Sequence, residues 1–425
     1  MKIPHDIAET IVDPKAYAAE TPVQEAFTRL RREMPLAVAE PEGVDPFWVV
    51  TKHSDILAVE KQNELFHNGD RATVLTNRAT DQKVRQMMGG SPHIVRSLVQ
   101  MDNPDHGNYR RLTQPYFLPQ NVRKLEPRIR EIAKSFVDRM ADKGGQCDFA
   151  RDVTLFYPLH VIMEILGVPE VDEPFMLRLT QELFGPADPD VNRMRRDTVS
   201  EDEGLKAILA TVADFTTYFN KMTHDRRANP QDDVASAIAN GTVNGQPLGE
   251  WEAMSYYIIV ATAGHDTTSN TTAGALWALA EAPEEYAKLQ ADIPNLMPGF
   301  IEESIRWVTP VKHFMRTAMA DTTVRDQAIK KDDWLFLAYP SGNRDEDVFD
   351  DPFRFRVDRT PNKQLAFGYG AHVCIGQHLA RMEMRIFWEE LLPRLKEFEL
   401  AGEPKRTEAT FVCGPKSVPI RYKMN

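Results

Sequence analysis

The stretch that decides the fold is Phe367-Gly368-Tyr369-Gly370-Ala371-His372-Val373-Cys374-Ile375-Gly376. It holds three glycines and one of only three cysteines in 425 residues, and a helical pattern follows from Gln377 to about Leu392. Glycine lets backbone approach closely and permits positive φ. The N-terminus of the following helix favours the ionised form of a nearby thiol. The pattern therefore indicates a thiolate held against something large and flat.

Such a thiolate can be a nucleophile, a zinc ligand or the axial ligand of a heme iron. Zinc needs about four protein ligands, or three and a water, whereas Cys147 and Cys413 are isolated and far away in the sequence. A nucleophile needs an adjacent base, and in an extended loop His372 need not meet the sulfur two residues later. Heme ligation needs no second protein ligand. A plain glycine-rich turn is the simplest alternative for the loop taken alone.

Composition limits which partners and which cellular compartment are compatible with the chain. The net charge of −12 argues against nucleic acid or an anionic membrane as the main partner. No apolar run is long enough for a membrane span, and the N-terminus lacks an apolar signal region. Three scattered cysteines do not form a disulfide framework. We expect a soluble, cytoplasmic protein with reduced thiols.

The chain reads as mainly α with a small β region, in a single domain over residues 1–425, since no linker or repeat divides it. Helical patterns occur at roughly 23–33, 54–62, 120–141, 157–167, 172–184, 203–227, 250–281, 284–292, 296–308 and 377–392. Strand patterns occur near 46–51, 314–318, 322–325, 334–337 and 410–422. The stretch 68–103 lacks periodicity and predicts a long functional loop.

The helix predicted at 250–281 would be about 45 Å long, enough to cross the protein. Its apolar first half is followed by Ala263-Gly264-His265-Asp266-Thr267-Thr268, a polar run that is unfavourable inside a buried helix. A Thr267 hydroxyl can bond the carbonyl of Ala263, which weakens the helix and opens a groove. The run is either a kink with satisfied polar groups or a site for oxygen and water beside a carboxylate and an alcohol. His265 points about 100° from its neighbours and is interpreted as a packing or hydrogen-bonding residue.

A third signal is Glu303-Ser304-Ile305-Arg306, which places both charges on one helix face. Alone, such a pair is usually a solvated surface contact. The signals together resemble the cytochrome P450 superfamily over the whole chain. The matching motifs are Ala263-Gly264-x-Asp266-Thr267-Thr268, Glu303-x-x-Arg306, Pro352-x-x-Phe355-x-x-x-Arg359 and Phe367-x-x-Gly370-x-His372-x-Cys374-x-Gly376.

The resemblance implies the cytochrome P450 fold, with a long central helix crossing a heme b (iron protoporphyrin IX). It makes Cys374 the proximal iron ligand, whose thiolate favours O–O cleavage. The residues that shape the loop and limit access to the sulfur would be Phe367 and Gly370, and Gly368 and Gly376 would also contact the cofactor. A buried charge network bracing this loop would comprise Glu303, Arg306 and Arg359.

The same resemblance assigns the distal side and the propionates. Asp266 and Thr267 would deliver protons for dioxygen activation. Ala263 and Gly264 would lie beside the heme, with Gly264 leaving room for oxygen. The anionic propionates need cationic partners, which would be His106, Arg110, Arg316 and His372.

Electrons must come from a separate donor. The chain contains no G-x-G-x-x-G after a strand and no iron–sulfur cysteine set. The resemblance implies a two-iron ferredoxin with its ferredoxin reductase. We expect a basic docking patch on the Cys374 side, formed by Arg110 or Arg111, Arg123, Lys124 and Arg381.

Within the superfamily, the chain is most similar to the bacterial terpineol-hydroxylating group, in the segments 157–163, 262–268, 311–318 and 414–421. That implies a small apolar substrate, a monoterpene or an alkyl aromatic. Besides Ala263 and Thr267, the expected pocket walls are Val260, Val311, His313, Phe314, Phe411 and Val412, together with part of the segment 72–100. His313 either hydrogen-bonds a substrate hydroxyl or points away.

Three functions are compatible with this reading. The first is a monooxygenase that uses dioxygen and two electrons. The second is a peroxide-driven peroxygenase on the same fold, against which the intact Asp266-Thr267 pair argues. The third is a non-enzymatic heme-thiolate sensor, for which the sequence shows no output domain.

Overall fold

The computed structural model describes residues 1–196 and 200–425. Its helices are α1 (His5–Val12), α2 (Pro14–Ala19), α3 (Thr21–Glu33), α4 (His53–Glu60), α5 (Arg78–Met87), α6 (Asp105–Phe117), α7 (Pro119–Asp142), α8 (Tyr157–Leu166), α9 (Glu173–Phe184), α10 (Glu201–Ala228), α11 (Val234–Ala239), α12 (Glu250–Ala263), α13 (Asp266–Glu281), α14 (Pro283–Ala291), α15 (Ile293–Val308), α16 (Tyr339–Gly342) and α17 (Gln377–Leu391). Helices dominate, which confirms the predicted fold class.

The strands are short and form small sheets. They are β1 (Leu36–Ala39), β2 (Phe47–Val50), β3 (Phe66–His67), β4 (Gln146–Asp148), β5 (Thr242–Val243), β6 (Gln246–Pro247), β7 (His313–Ala318), β8 (Thr322–Val324), β9 (Gln327–Ile329), β10 (Trp334–Ala338), β11 (Leu395–Leu400), β12 (Lys405–Arg406), β13 (Pro415–Ser417) and β14 (Pro419–Met424). The largest sheet has the order β1-β2-β10-β7-β3, and a second has the order β11-β14-β4.

Two helices that the sequence did not reveal lack an apolar stripe. Helix α5 lies inside the predicted loop 68–103, and Val84 is its buried position. Helix α6 buries His106, Thr113 and Phe117, so two of these three inward positions are polar. A helix is predicted from apolar residues that recur at helical spacing. Neither α5 nor α6 has such an apolar face, so the sequence did not predict them.

The predicted central helix is divided in two. Helix α12 ends at Ala263, Gly264 and His265 form a turn, and α13 begins at Asp266. The Thr267 hydroxyl donates to the carbonyl of Ala263 across this break, at 3.2 Å, as the sequence predicts. Main-chain bonding resumes with the Ser269 N–H donating to the carbonyl of His265 at 2.9 Å. The polar run therefore interrupts the helix and does not merely weaken it.

Gly264 is required by packing on the side of the break that faces α8. A Cβ at this position would lie 2.4 Å from Cγ1 of Ile162, closer than real carbon contacts. The predicted role of Gly264 in leaving room for oxygen stays a prediction, and this packing contact is a separate reason for the glycine. The glycine allows α8 and the central helix to approach closely.

Aromatic side chains form much of the core around α17. Trp388 on α17 packs against Phe300 of α15, with ring centroids 5.0 Å apart, and Phe387 packs against Tyr157 of α8 at 5.2 Å. Helix α17 also runs along α7. The helix that follows Cys374 is thereby fixed to the largest buried cluster of the protein. None of the helices within residues 1–196 and 200–425 combines the length and the apolar character that a membrane span requires.

Candidate functional site

The loop before α17 is held in a compact conformation that fixes the position of the Cys374 sulfur. Gly368 and Gly370 adopt φ values of 65° and 70°, in the left-handed region that favours glycine. The Cys374 N–H donates to the carbonyl of Phe367 at 2.9 Å, and the Gly368 N–H donates to that of Leu365 at 2.8 Å. These bonds return the chain on itself and place Cys374 immediately before the first turn of α17.

The surroundings of the Cys374 sulfur suit a metal-bound thiolate. Burial raises the pKa of the Cys374 thiol, while the N–H groups of Gly376 and Gln377 and the charges of Arg110 and Arg381 act in the opposite direction. Thiol ligands lose their proton when a metal binds. The N–H groups at the helix start would then stabilise the sulfur anion.

The break in the central helix leaves an open surface inside the molecule. Ala263 is exposed although Ala261 and Thr262, its neighbours on α12, are buried. Asp266 is 13% exposed in its side chain, and its Oδ1 lies 2.9 Å from Nε2 of the fully buried His265. The sequence predicted His265 as a hydrogen-bonding or packing residue, and the structure places its ring against the carboxylate of Asp266.

Four predicted propionate partners are brought together near the loop. The rings of His106 and His372 lie 4.0 Å apart, centroid to centroid. The Arg110 Nη2 donates to the carbonyl of Val373 at 2.7 Å, and Arg316 Nη1 donates to that of Met315 at 3.0 Å. These bonds leave most of the donors of both guanidinium groups available for an anion.

Burial and the neighbouring arginines disfavour a positive charge on the two imidazoles. Burial, with repulsion from Arg110, lowers the pKa of His106 to about 4. Burial, with repulsion from Arg316, His106 and Arg110, lowers the pKa of His372 to about 2. The two arginines are therefore the groups best suited to supply positive charge to the propionates.

The predicted charge network is present and removed from water. Glu303 and Arg306 both have 0% exposed side chains and form a bidentate pair, with Nε–Oε2 and Nη2–Oε1 distances of 2.7 Å. Arg359 Nε donates to both oxygens of Glu303, at 3.1 and 3.0 Å. Burial pushes the pKa of Glu303 up, but the hydrogen bonds and charge of Arg306 and the charge of Arg359 outweigh it and leave that pKa below its usual value.

The network reaches the loop through a residue that the sequence did not single out. Arg306 Nη1 donates to the carbonyl of Asn343 at 2.8 Å. The Asn343 side-chain oxygen in turn accepts from the N–H of Leu365 at 2.7 Å, two residues before Phe367. Asn343 follows α16 and has no sequence pattern of its own. Its role comes from contacts between segments that are distant in sequence.

The predicted pocket walls come from three segments. Val260, Ala263 and Thr267 recur at helical spacing along the central helix, where each is at least partly exposed. Val311 and Val412 form an isolated antiparallel bridge. The rings of Phe314 and Phe411 lie 5.3 Å apart, and Phe184, which was not predicted, lies 6.1 Å from Phe411. The walls nearest this bridge are therefore aliphatic and aromatic.

His313 does not line the pocket, which corrects that prediction. Its ring is 0% exposed and stacks on Phe336 at 4.4 Å. Nε2 accepts from the Leu75 N–H at 2.9 Å, and Nδ1 lies 3.0 Å from the carbonyl of Thr410. Because side chains alternate along a strand, His313 and Phe314 of β7 point to opposite faces. His313 joins three segments behind the pocket wall.

The predicted basic patch is only partly available. Arg381 forms a bidentate pair with Glu302, at 2.5 and 3.1 Å, and lies over the ring of Phe367, so it is not a free surface charge. Arg110 is drawn to the loop carbonyl described above. Arg111, Arg123 and Lys124 are exposed.

The residues present fit an iron porphyrin. One thiol next to a helix N-terminus can serve as a single axial ligand. Two guanidinium groups with free donors, and two neutral imidazoles, suit a pair of carboxylates. The exposed Ala263, which follows the buried Ala261 and Thr262, leaves room for a flat group on that side.

Comparison with known proteins agrees with this geometry. The sequence profile of the family described as "Cytochrome P450" matches residues 70–423. The chain is 48% identical over 420 residues to cytochrome P450-terp from a Pseudomonas species, covering 99% of this chain and 98% of that protein. It is 31% identical over 412 residues to linalool 8-monooxygenase from Pseudomonas putida, covering 96% and 97%. Among solved structures, CYP108D1 from Novosphingobium aromaticivorans superposes with a TM-score of 0.91 at 45% identity, with full coverage of both chains.

Removal of the Glu303 charge tests the network. Glu303→Gln leaves two buried guanidinium groups without their counter-ion, and we expect it to lower the free energy of unfolding by about 3 to 5 kcal/mol. Chemical denaturation of the purified protein and the fraction of protein that retains heme measure the effect. Glu302→Gln is the matched control, because the Glu302–Arg381 pair is partly exposed and its loss should cost about 1 kcal/mol or less.

Equal stability losses in the two variants would show that the buried network does not brace the loop.

The pH dependence of the free energy of unfolding gives a second test of the network. Because the pKa of Glu303 is below its usual value in the folded protein, its contribution is present at neutral pH and is lost as pH falls through the folded-state pKa. Glu303→Gln should therefore lose less stability on acidification than the unmodified protein.

Proposed function

The chain belongs to the cytochrome P450 family and is a heme-binding monooxygenase, and on that premise we propose that it hydroxylates a small apolar substrate of the monoterpene class. Alkyl aromatics of similar size are the second substrate class. The observation that carries the proposal is the aliphatic and aromatic cluster that Val311, Val412, Phe314 and Phe411 form. It is supported by the 31% identity to a protein named for its action on linalool.

We propose a role in heme binding for each group of residues at the site. When bound, heme supplies the iron at which dioxygen is activated. Cys374 would hold the iron through Sγ. The propionates would be held by Arg110, Arg316, His106 and His372. The buried pairing of Glu303 with Arg306 and Arg359 would keep the Cys374 loop in place while the substrate changes on the other side.

Asp266 and Thr267 are proposed to move protons. The side chain of Asp266 is slightly exposed, so water can reach it, and its Oδ1 lies 2.9 Å from Nε2 of His265. The Thr267 hydroxyl is held at the carbonyl of Ala263, so Oγ1 keeps a lone pair free to accept a further hydrogen bond. A carboxylic acid and an alcohol in this order can pass protons inward without admitting bulk water.

Substrate selectivity should follow from shape. Since His313 is committed to main-chain partners, β7 offers the substrate the ring of Phe314 in place of a polar group. In an apolar pocket, one methylene more or less on the ligand changes the binding free energy by about 1–3 kcal/mol. We therefore expect several monoterpenes to bind, with affinities that differ by size.

Electrons are proposed to come from a two-iron ferredoxin and its reductase in the cytoplasm. The exposed Arg123 and Lys124 on α7 and Arg111 on α6 provide the positive charge for an acidic partner. Arg381 is excluded from this surface by its pairing with Glu302.

A ligand panel tests the substrate class. Terpineol, linalool and an alkylbenzene should each convert the heme from low to high spin on titration, because an apolar ligand displaces water from the iron. A steroid of much larger volume serves as the contrast ligand. A spin shift with the steroid and none with the small ligands would overturn the monoterpene proposal.

Turnover then distinguishes the two oxygen sources. With NADH, ferredoxin and reductase, the best small ligand should yield a hydroxylated product. Product formation from hydrogen peroxide at the same rate without ferredoxin would instead support the peroxygenase.

Thr267→Ala tests the proton pathway. We expect unchanged substrate binding but product formation lower by about 10-fold or more, with reducing equivalents diverted to hydrogen peroxide. Product, peroxide and NADH are measured in the same reaction. Thr271→Ala is the control, because the Thr271 hydroxyl makes the same type of bond to the carbonyl of Thr267, at 2.7 Å, one turn further along. Equal uncoupling in both variants would contradict a specific role for Thr267.

A further inference from the structure

Glu60, the last residue of α4, is a buried carboxylic acid beside the propionate-binding arginine. It is 4% exposed. Its Oε1 accepts from the Tyr339 hydroxyl at 2.7 Å and lies 3.5 Å from Nη2 of Arg316. Nothing in the sequence marks it, since a glutamate at the end of a short helix is usually solvated.

The second oxygen of Glu60 is unusual. Within residues 1–196 and 200–425, Oε2 is buried and has no hydrogen-bond partner. A buried carboxylate that lacks a donor is costly, whereas a protonated acid has a hydrogen of its own to offer. Burial raises the pKa of Glu60 to about 7, against the opposing effects of Arg316, Tyr339 and the Tyr369 N–H.

The Cys374 loop lies directly on Glu60. A Cβ on Gly370 would be 2.3 Å from the carbonyl oxygen of Glu60, and a Cβ on Gly368 would be 3.2 Å from its Oε1. The two glycines of positive φ therefore fit against this one residue. Glu60 contacts both the loop that carries the sulfur and an arginine that faces the propionates.

We propose that Glu60 is a positioning residue that holds its proton when heme is bound, so that Arg316 can give its charge to a propionate. An ionised Glu60 competes with the propionate for the same guanidinium and repels it. The neutral acid does neither. This inference rests on heme binding alone and is independent of the substrate.

The groups that face Glu60 come from each element packed around it. Strand β7 contributes Arg316, and the start of α16 contributes Tyr339. The loop contributes the Tyr369 N–H and, nearby, His372, whose ring lies against His106 and near Arg110. Lys61 lies over the exposed ring of Tyr369. Arg325, just after β8, is paired with Asp55 on the outer part of α4.

The sign of the pH effect follows from linkage. A propionate adds a second anion near Glu60 and raises its pKa above the value of about 7. Above this pH, Glu60 is ionised without heme and protonated with heme, so Glu60 takes up a proton when heme binds. Heme affinity should fall with rising pH by up to about tenfold per pH unit, until the pKa of the heme-bound form is passed.

Heme transfer to excess apomyoglobin measures this effect without any turnover. For the unmodified protein we expect the transfer rate to rise on the order of tenfold between pH 6.5 and pH 9. Glu60→Gln keeps the size and a donor group but cannot ionise, so its rate should stay slow and nearly independent of pH. Glu64→Gln removes an exposed carboxylate four residues later and should behave as the unmodified protein.

Two results would overturn the proposal. The first is a parallel pH dependence in Glu60→Gln and the unmodified protein. The second is no change in Tyr339→Phe, which removes a donor to the ionised form and should move the onset of heme loss to higher pH. Circular dichroism of each variant verifies that the fold is kept. Activity on any substrate does not enter these measurements, so they remain decisive if the monoterpene proposal fails.

Discussion

The bidentate pairing of Glu303 with Arg306, reinforced by Arg359, is the interaction on which the site depends. The loop that carries Cys374 has little regular structure of its own, so its shape must be imposed from outside. Asn343 transmits the network to Leu365, at the start of that loop. Helix α17 fixes the other end through Phe387 and Trp388 in the aromatic core. Burying a charge network costs free energy, and we propose that this one serves to position the Cys374 sulfur.

The break in the central helix is the complementary feature. A continuous helix would satisfy its own main-chain groups and present a closed surface. Gly264 and His265 interrupt it where Ile162 of α8 packs against the chain. At the interruption Ala263 is exposed, Asp266 lies beside His265 and the Thr267 hydroxyl donates to a main-chain carbonyl. The helix break thus coincides with the place where dioxygen and protons are proposed to meet, while buried residues of both flanking helices belong to the core.

The sequence revealed features that are local and left out those that depend on distant contacts. The loop around Cys374, the long helices and the Thr267–Ala263 bond follow from spacing and residue type within a few turns. Glu60, Asn343 and Phe184 gave no signal, because each acts on segments far away in the chain. His313 was assigned to the pocket from its neighbours, and its true partners, Leu75 and Thr410, decide otherwise. Arg381 was counted as free because Glu302 lies 79 positions away.

The central claim is that the Cys374 sulfur is ionised and bonded to heme iron. The most direct measurement is the absorption spectrum of the reduced, carbon monoxide-bound protein, compared with that of Cys374→Ser. The thiolate assignment predicts a strongly red-shifted Soret band in the unmodified protein and its loss in the variant, since a hydroxyl is a much weaker electron donor to iron. A variant that binds heme and keeps the red-shifted band would contradict the account, because another group would then be the ligand.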